Sequence, residues 1–517
     1  MNQARIIYHI ARADFLERIR RYSFLVMLGA VVFLGYQVAI GNVSVQLGDY
    51  RGEINSAWVG SMMALIASFF LGWFGFFLIK GSIARDRETG VGQIMAATPL
   101  TRPVYLLGKW VSNFAVLIFM VFVLAILAIV IQLFAGESSQ FGIVALLAPF
   151  IFVALPMLAL TAAFAVLFEC IGFLQGGFGN IVYFFLFGLI LSFAISFGKT
   201  NPLLDPLGFH YLKESMGEAA KAAFPNYDGS FVLGATDTPI LGTFPWSGVV
   251  WTYNIVLSRF TFIGLGILIA LASAFLFDRF DASRRKPRQT KAAASLPAPE
   301  VFTATRTLTA VHLTPLNTTQ NRFVFARILF LELKLLLKGM PWWWFAGAGG
   351  LFIASLANTP ENVRAFVLPI TWLWPILIWS SLGNREMRHN VGQMVFSSAS
   401  PLMRQLPATW FAGFTITALT GGGAAINFLS VADSSSLLVW FSAALFIPTF
   451  ALALGVWSHS QKLFEVLYVS MWYLALNEVH AVDYLGANSN GNIGFFIPLS
   501  LALMVIAFIG RARQLQN

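Results

Sequence analysis

Stretches of about 20 mainly apolar residues recur along the whole chain, and a helix of that length crosses a bilayer. The pattern predicts spans near 23–42, 57–79, 110–134, 142–168, 177–197 and 257–277 in the first half. It predicts further spans near 341–358, 366–383, 406–429, 437–458, 463–478 and 493–511 in the second. The segment 463–478 is short and contains Glu465. Two polar interruptions are long. Residues 198–256 carry mixed charge with several Gly and Pro, and Tyr211–Phe224 within them reads as a short amphipathic helix. Residues 281–320 hold Arg284, Arg285, Lys286, Arg288 and Lys291, then Ala, Pro and Thr, which reads as a flexible linker. Its basic cluster suits anionic lipid, and a solvated linker accounts for it as well.

Charge placement orients these spans. The N-terminal segment, the loop 80–109, the connector 278–340, the loop 384–405 and the tail with Arg511 and Arg513 are rich in Lys and Arg. The intervening loops 43–56, 135–141, 359–365, 430–436 and 479–492 are not. The two sets alternate as twelve spans require. The positive-inside rule then puts both termini in the cytoplasm, in a multi-pass protein of the plasma (inner) membrane. Residues 1–22 are amphipathic and basic and do not read as a cleavable signal peptide.

Composition agrees with this picture. Of 517 residues, 58% are hydrophobic and 11% charged, against about 25% charged in soluble domains. The net charge of +10 follows from basic cytoplasmic loops, so no nucleic-acid partner is expected. The single cysteine, Cys170, excludes an intrachain disulfide and makes cysteine-rich metal sites implausible.

The halves resemble each other. Ala11-Arg12-x-x-Phe15-Leu16-Glu17 precedes the first span and Ala326-Arg327-x-x-Phe330-Leu331-Glu332 the seventh. Arg85-Asp86, four residues, then Val91-Gly92-Gln93 follows the second span. Arg385-Glu386, four residues, then Val391-Gly392-Gln393 follows the eighth. Pro99-Leu100-Thr101-Arg102 and Pro401-Leu402-Met403-Arg404 come next. Pro156-x-x-Ala159-Leu160 lies in the fourth span and Pro448-x-x-Ala451-Leu452 in the tenth. Four matches in the same order indicate an internal duplication. Both halves start in the cytoplasm, so the repeat is parallel, with a pathway expected between them. The fold expected is an all-α polytopic membrane protein. It has about 12 transmembrane helices as two parallel six-helix halves, 1–280 and 321–517, joined by the linker 281–320.

Each repeated loop reads as a short amphipathic helix flanked by charge. Val91, Ile94 and Met95 share one face, as do Val391, Met394 and Val395. Arg85, Asp86, Arg87 and Glu88 precede the first, and Arg385, Glu386 and Arg388 the second. Pro99 and Pro401 are expected to stop them. The segments before spans one and seven read as interfacial helices, with Arg12, Glu17 and Arg18 in one and Arg327, Glu332 and Lys334 in the other. In the first, Ile6, Ile7, Ile10 and Ile19 oppose Arg12 and Arg18, whose charges are expected to face lipid headgroups.

The run 85–90, Arg-Asp-Arg-Glu-Thr-Gly, with Thr98-Pro99-Leu100 and Leu107-Gly108-Lys109 after it, resembles the membrane subunits of type-2 ABC exporters. The likeness is clearest in the first half. The second departs from it: Arg388-His389-Asn390 replaces Glu88-Thr89-Gly90, two residues are added before Pro401, and no Gly-Lys follows. The resemblance implies six-span units working as a pair, an interfacial helix before the first span, and a cytoplasmic coupling helix docking on an ATPase. It implies two copies of that ATPase, with ATP bound by the partner and no cofactor on this chain. It also implies a short external re-entrant segment between spans five and six, which 198–256 could hold in enlarged form.

Other chemistries find little support. The only Gly-Lys-Thr, 198–200, has Phe193 where a phosphate-binding loop needs glycine. The six histidines are scattered, and no catalytic residue stands out. An ion-coupled secondary transporter is the main alternative, but span centres are nearly free of charge. A non-transporting scaffold is a third reading. Aromatic, uncharged spans favour an apolar or amphipathic cargo, although such residues also simply face lipid.

Overall fold

The computed structural model describes residues 3–138, 141–234, 240–280, 325–389, 391–398, 400–476, 482–486 and 491–516. The chain divides into two units, Met1–Asp281 and Ala282–Asn517. The predicted linker 281–320 and half of the loop 479–492 lie outside the described residues.

Unit 1 opens with α1 (Gln3–Ile19) and α2 (Tyr22–Ala39), then short strands β1 (Ser44–Gln46) and β2 (Tyr50–Gly52). The long helix α3 (Ser56–Ile79) leads into α4 (Ser82–Glu88) and α5 (Val91–Ala96). Then come α6 (Arg102–Ala135), α7 (Ile143–Pro149), α8 (Leu155–Cys170) and α9 (Gly177–Phe197). The unit closes with α10 (Phe209–Ala223), β3 (Val232–Gly234), β4 (Gly242–Phe244) and α11 (Tyr253–Leu276). Helix α3 is apolar on all sides and buried along most of its length, the signature of a central helix. Gly60 shows how closely it is packed. A Cβ there would lie 2.2 Å from the Leu146 carbonyl oxygen of α7.

Unit 2 contains α12 (Phe325–Leu337), α13 (Trp342–Ala357), α14 (Pro360–Asn362), α15 (Leu368–Leu373) and α16 (Ile376–Trp379). The loop helices α17 (Arg385–Arg388) and α18 (Gly392–Phe396) follow. The long helices α19 (Pro401–Ser430), α20 (Ser434–Ser458), α21 (Gln461–Leu476) and α22 (Ile493–Gln514) complete it.

The all-α polytopic membrane class holds, but the twelve predicted spans are not twelve equal helices. Among the described residues, eight helical segments are long and apolar enough to cross a membrane. They are Ser56–Glu88, Arg102–Ala135, Ile143–Cys170, Gly177–Phe197, Tyr253–Leu276, Pro401–Ser430, Ser434–Ser458 and Ile493–Gln516. The segment 23–42 forms α2, bent from α1 by 74°. The segments 341–358 and 463–478 form helices of 16 residues, about 24 Å at 1.5 Å per residue against a core of roughly 30 Å. The segment 366–383 is broken at Pro375 between α15 and α16.

Proline also explains two widened turns. Residues 150–154 and 363–367 are π-helical, and each ends two residues before a proline, Pro156 and Pro369. Proline offers no N–H, so a carbonyl in the preceding turn loses its partner and the turn relaxes.

The strand end of unit 1 is a small cap. β1 pairs with β3 antiparallel and β2 with β4 parallel, tying the loop 43–56 to 198–252. Tyr50 stacks on Phe224 at 4.0 Å. Arg51 makes a bidentate pair with Glu137. Asp205 caps α10 by accepting from the Phe209 and His210 amides. Helix α10 realises the predicted amphipathic helix. It carries Lys213, Glu214, Glu218 and Lys221, too much charge for an apolar re-entrant segment. The enlarged re-entrant segment expected in 198–256 is therefore not what α10 and the two strands build.

Two internal bonds repeat between the units. Tyr183 on α9 donates to the Gly72 carbonyl of α3 at 2.5 Å. Tyr468 on α21 donates to the Trp372 carbonyl of α15 at 2.9 Å. Trp110 on α6 donates to the Ala159 carbonyl of α8 at 3.0 Å, and Trp410 on α19 to the Thr449 hydroxyl of α20 at 2.8 Å.

Candidate functional site

The repeated motifs of unit 1 converge at its basic end, where α1, α4, α5 and the start of α6 meet. Arg85 pairs with Glu17 and lies 3.6 Å from Asp14. Asp86 is buried. It accepts from the Tyr105 hydroxyl at 2.7 Å and pairs with Lys109 at 2.6 Å. Lys109 also reaches Asp14 at 2.7 Å, so one buried ammonium joins α1, α4 and α6. Gly108 permits this approach, since a Cβ there would lie 2.8 Å from the Ile10 side chain. Arg87 pairs with Asp278 at 3.1 Å and with Gln175 at 3.0 Å. Burial pushes the Glu17 carboxyl up, but Arg21 and then Arg85 outweigh it and leave it below the usual carboxylate range.

A residue that spacing did not single out anchors α4. Glu169, at the end of α8, accepts from the backbone amides of Gly81, Ser82, Ile83 and Ala84 at 2.7–3.1 Å. These are the amides a helix start leaves without partners, and a carboxylate suits the positive end of the helix dipole.

Beyond α4 the loop presents a free surface. Glu88, Val91, Gln93 and Ile94 are exposed and Met95 half-buried, while Gly92 is buried beneath Phe280. On the predicted shared face, Val91 and Ile94 point away from the unit, while Met95 is partly covered beside Phe277 and Phe280.

Unit 2 repeats much of this. Arg385 pairs with Glu332. Glu386 is buried and accepts from Gln405 at 2.7 Å, the same 19-residue separation as Asp86 and Tyr105. Arg388 bonds Gln461 at 2.5 Å, as Arg87 bonds Gln175. Gly392 is buried, Gln393 and Met394 are exposed, and Val391 and Val395 are half-buried. Arg327 and Lys334 are exposed.

Two expectations are corrected. Arg12 is exposed as an interfacial charge should be, but Arg18 is buried inside unit 1 and does not face headgroups. Helix α1 packs along α6, so its Arg18 side is covered. The second concerns Pro401. Pro99 follows α5 as expected, whereas Pro401 is the first residue of α19. Proline's fixed φ and missing N–H suit a helix start. The bonds of Glu386 and Trp410 set a register of 300 between the units, so the two Pro-Leu-x-Arg matches are offset by two residues.

Among the described residues, no group of three His, Cys, Asp or Glu could hold a metal ion. The chemistry of the site is mechanical. Buried ion pairs link an exposed loop helix to the helices beside it.

No curated protein and no solved structure matches the chain. Residues 8–199 match the family described as ABC-2 family transporter protein. That match takes in most of α1, the exposed loop and the Glu169 anchor, so this part of the chain is similar to ABC-2 family transporter proteins.

Proposed function

We propose that the chain is the fused permease of an ATP-driven exporter, with both six-span halves on one polypeptide. It lies in the plasma (inner) membrane with both termini cytoplasmic. Two copies of a separate cytoplasmic ATPase energise it, and ATP is bound and hydrolysed on those partners. ABC-2 permeases normally work with a separate ATPase subunit.

The observation that carries this reading is the repeated latch. In each unit an arginine of the exposed loop, Arg85 or Arg385, grips the glutamate of the preceding amphipathic helix, Glu17 or Glu332. An ATPase seated on Val91 and Ile94, or on Met394, would push on α4 or α17 when it closes. Through Arg85 the push reaches α1, and through Asp86 and Lys109 it reaches α6. Buried ion pairs transmit such a push because separating them is costly.

The test is co-purification with candidate ATPases, followed by transport in inverted vesicles given ATP and no ion gradient. Arg85→Ala combined with Arg385→Ala is expected to keep the complex and lose most ATP-driven transport. A stable complex with undiminished transport would show the latches to be idle. Transport sustained by an ion gradient alone would instead favour an ion-coupled carrier.

A further inference from the structure

Unit 2 contains a cavity of about 1100 Å³ in the wedge between α12, α17 and the start of α19. One wall is a stripe of α12, Ile328, Leu331 and Leu335, and the other carries Lys338, Arg385 and Arg404. The matching helices of unit 1 are joined by an internal salt bridge. There Lys109 lies between Asp14 and Asp86. In the register set by the repeated bonds, Lys109 corresponds to Thr409 and Asp14 to Leu329. A long lysine and its carboxylate have become a short hydroxyl and a leucine, so unit 2 lacks the inner salt bridge of unit 1.

Basic side chains outnumber acidic ones around this space, Lys338, Arg385 and Arg404 against Glu332 and Glu386. Glu332 is engaged by Arg385, and Glu386 by Gln405 and by Arg511 at 3.4 Å. Among the described residues, the Nε and one Nη of Arg385 are buried without a hydrogen-bond acceptor. Lys338 is exposed at the rim. A guanidinium edge that lacks an acceptor in a buried setting favours an anion with several oxygens. The volume exceeds what a small anion needs and lies just above the range for small-molecule sites, roughly 300–1,000 Å³. The leucine wall calls for an apolar body.

We propose that this cavity binds an anionic phospholipid, its phosphate on Arg385, Lys338 and Arg404 and the start of an acyl chain along Leu331 and Leu335. The site shares Arg385 with the proposed latch.

Native mass spectrometry of the full chain tests this, with phosphatidylglycerol, phosphatidylcholine and inorganic phosphate as separate probes. Phosphatidylglycerol should remain bound where phosphatidylcholine does not. Lys338→Gln with Arg404→Gln should weaken it roughly tenfold or more. Leu335→Ser, at an exposed position, should weaken lipid binding without lowering the melting temperature. Arg20→Gln removes an exposed charge from the basic end of unit 1 and should leave binding unchanged. Equal retention of the two lipids overturns the proposal, as does full retention in the Lys338/Arg404 variant. Displacement of the lipid by millimolar inorganic phosphate would overturn the lipid assignment and leave a simple anion site. Unchanged lipid binding in Leu335→Ser would overturn the acyl-chain wall.

Discussion

At their basic ends the two units solve one problem differently. Each must hold a charged loop helix against an amphipathic helix and a long spanning helix. Unit 1 does so with a closed ionic cluster, Asp14–Lys109–Asp86, tied to Tyr105. Unit 2 keeps the outer latch, Arg385 with Glu332, but replaces the inner lysine and aspartate by Thr409 and Leu329. It brings the cation for Glu386 from α22, as Arg511. The latch facing the loop is thus common to both units, and the inner tie is particular to each. The two units keep the pair beside the exposed loop and vary what supports it.

The largest expected effect breaks the inner tie. Lys109→Met leaves two buried carboxylates without their ammonium and should destabilise the protein by about 3–5 kcal/mol, read as a fall in thermal unfolding temperature in detergent. Transplanting the pair from unit 2, Asp14→Leu with Lys109→Thr, should recover at least half of that loss. If the double variant is no better than Lys109→Met, the two wedges are not equivalent.

Next comes the loop anchor. Glu169→Gln replaces a charged acceptor of four amides by a neutral one and should cost about 1.5–3 kcal/mol. Amide exchange at residues 81–84 should accelerate and that at 383–386 should not. Equal acceleration at both would mean that the anchor acts globally.

A third change targets the shared surface. Ile94→Asp and Met394→Asp alter exposed side chains and should leave the melting temperature within about 0.5 kcal/mol of the parent. Each should nevertheless reduce capture of the ATPase in a pull-down. Loss in only one of them would make the two loops unequal partners.

The smallest effect lies in the cap, which belongs to unit 1. The bidentate hydrogen bonds from Arg51 hold the Glu137 carboxyl below its usual value near 4.5. A depressed carboxyl contributes stability that is present above the unfolded value and is lost as pH falls through the lower folded one. Because Glu137 is 40% exposed, the gain is under about 1 kcal/mol. Glu137→Gln should lower stability at neutral pH by under about 1 kcal/mol, and the difference from the parent should vanish below about pH 4.5, which flattens the acid limb of the melting curve.

Much of this was legible in the sequence. Hydropathy located the helices, and the motif Arg85-Asp86…Gly92 with its copy at 385–392 located both loops. Their exposure patterns agree almost residue for residue. The interior was not legible. Tyr183 and Tyr468 make the same bond, yet their neighbours in sequence share no motif, because such a bond needs only a hydroxyl at the right depth. Glu169 and Lys109 act over 85 and 95 residues of separation, beyond any local period. Arg18 looked like a surface charge because helical spacing cannot reveal which neighbour covers a face. The proline match misled by two residues because proline ends one loop in unit 1 and begins a helix in unit 2.

The Glu169 anchor also sets an order on biogenesis. The amides of residues 81–84 are translated well before the carboxylate that receives them, which follows Ala84 by 85 residues. Until α8 is threaded into the bilayer, the loop after α3 has only water for those amides, so its short helix starts without its stabilising anchor. The surface proposed to meet the ATPase therefore matures only after the fourth membrane segment is in place. A nascent chain halted before that point lacks the carboxylate that completes the start of α4.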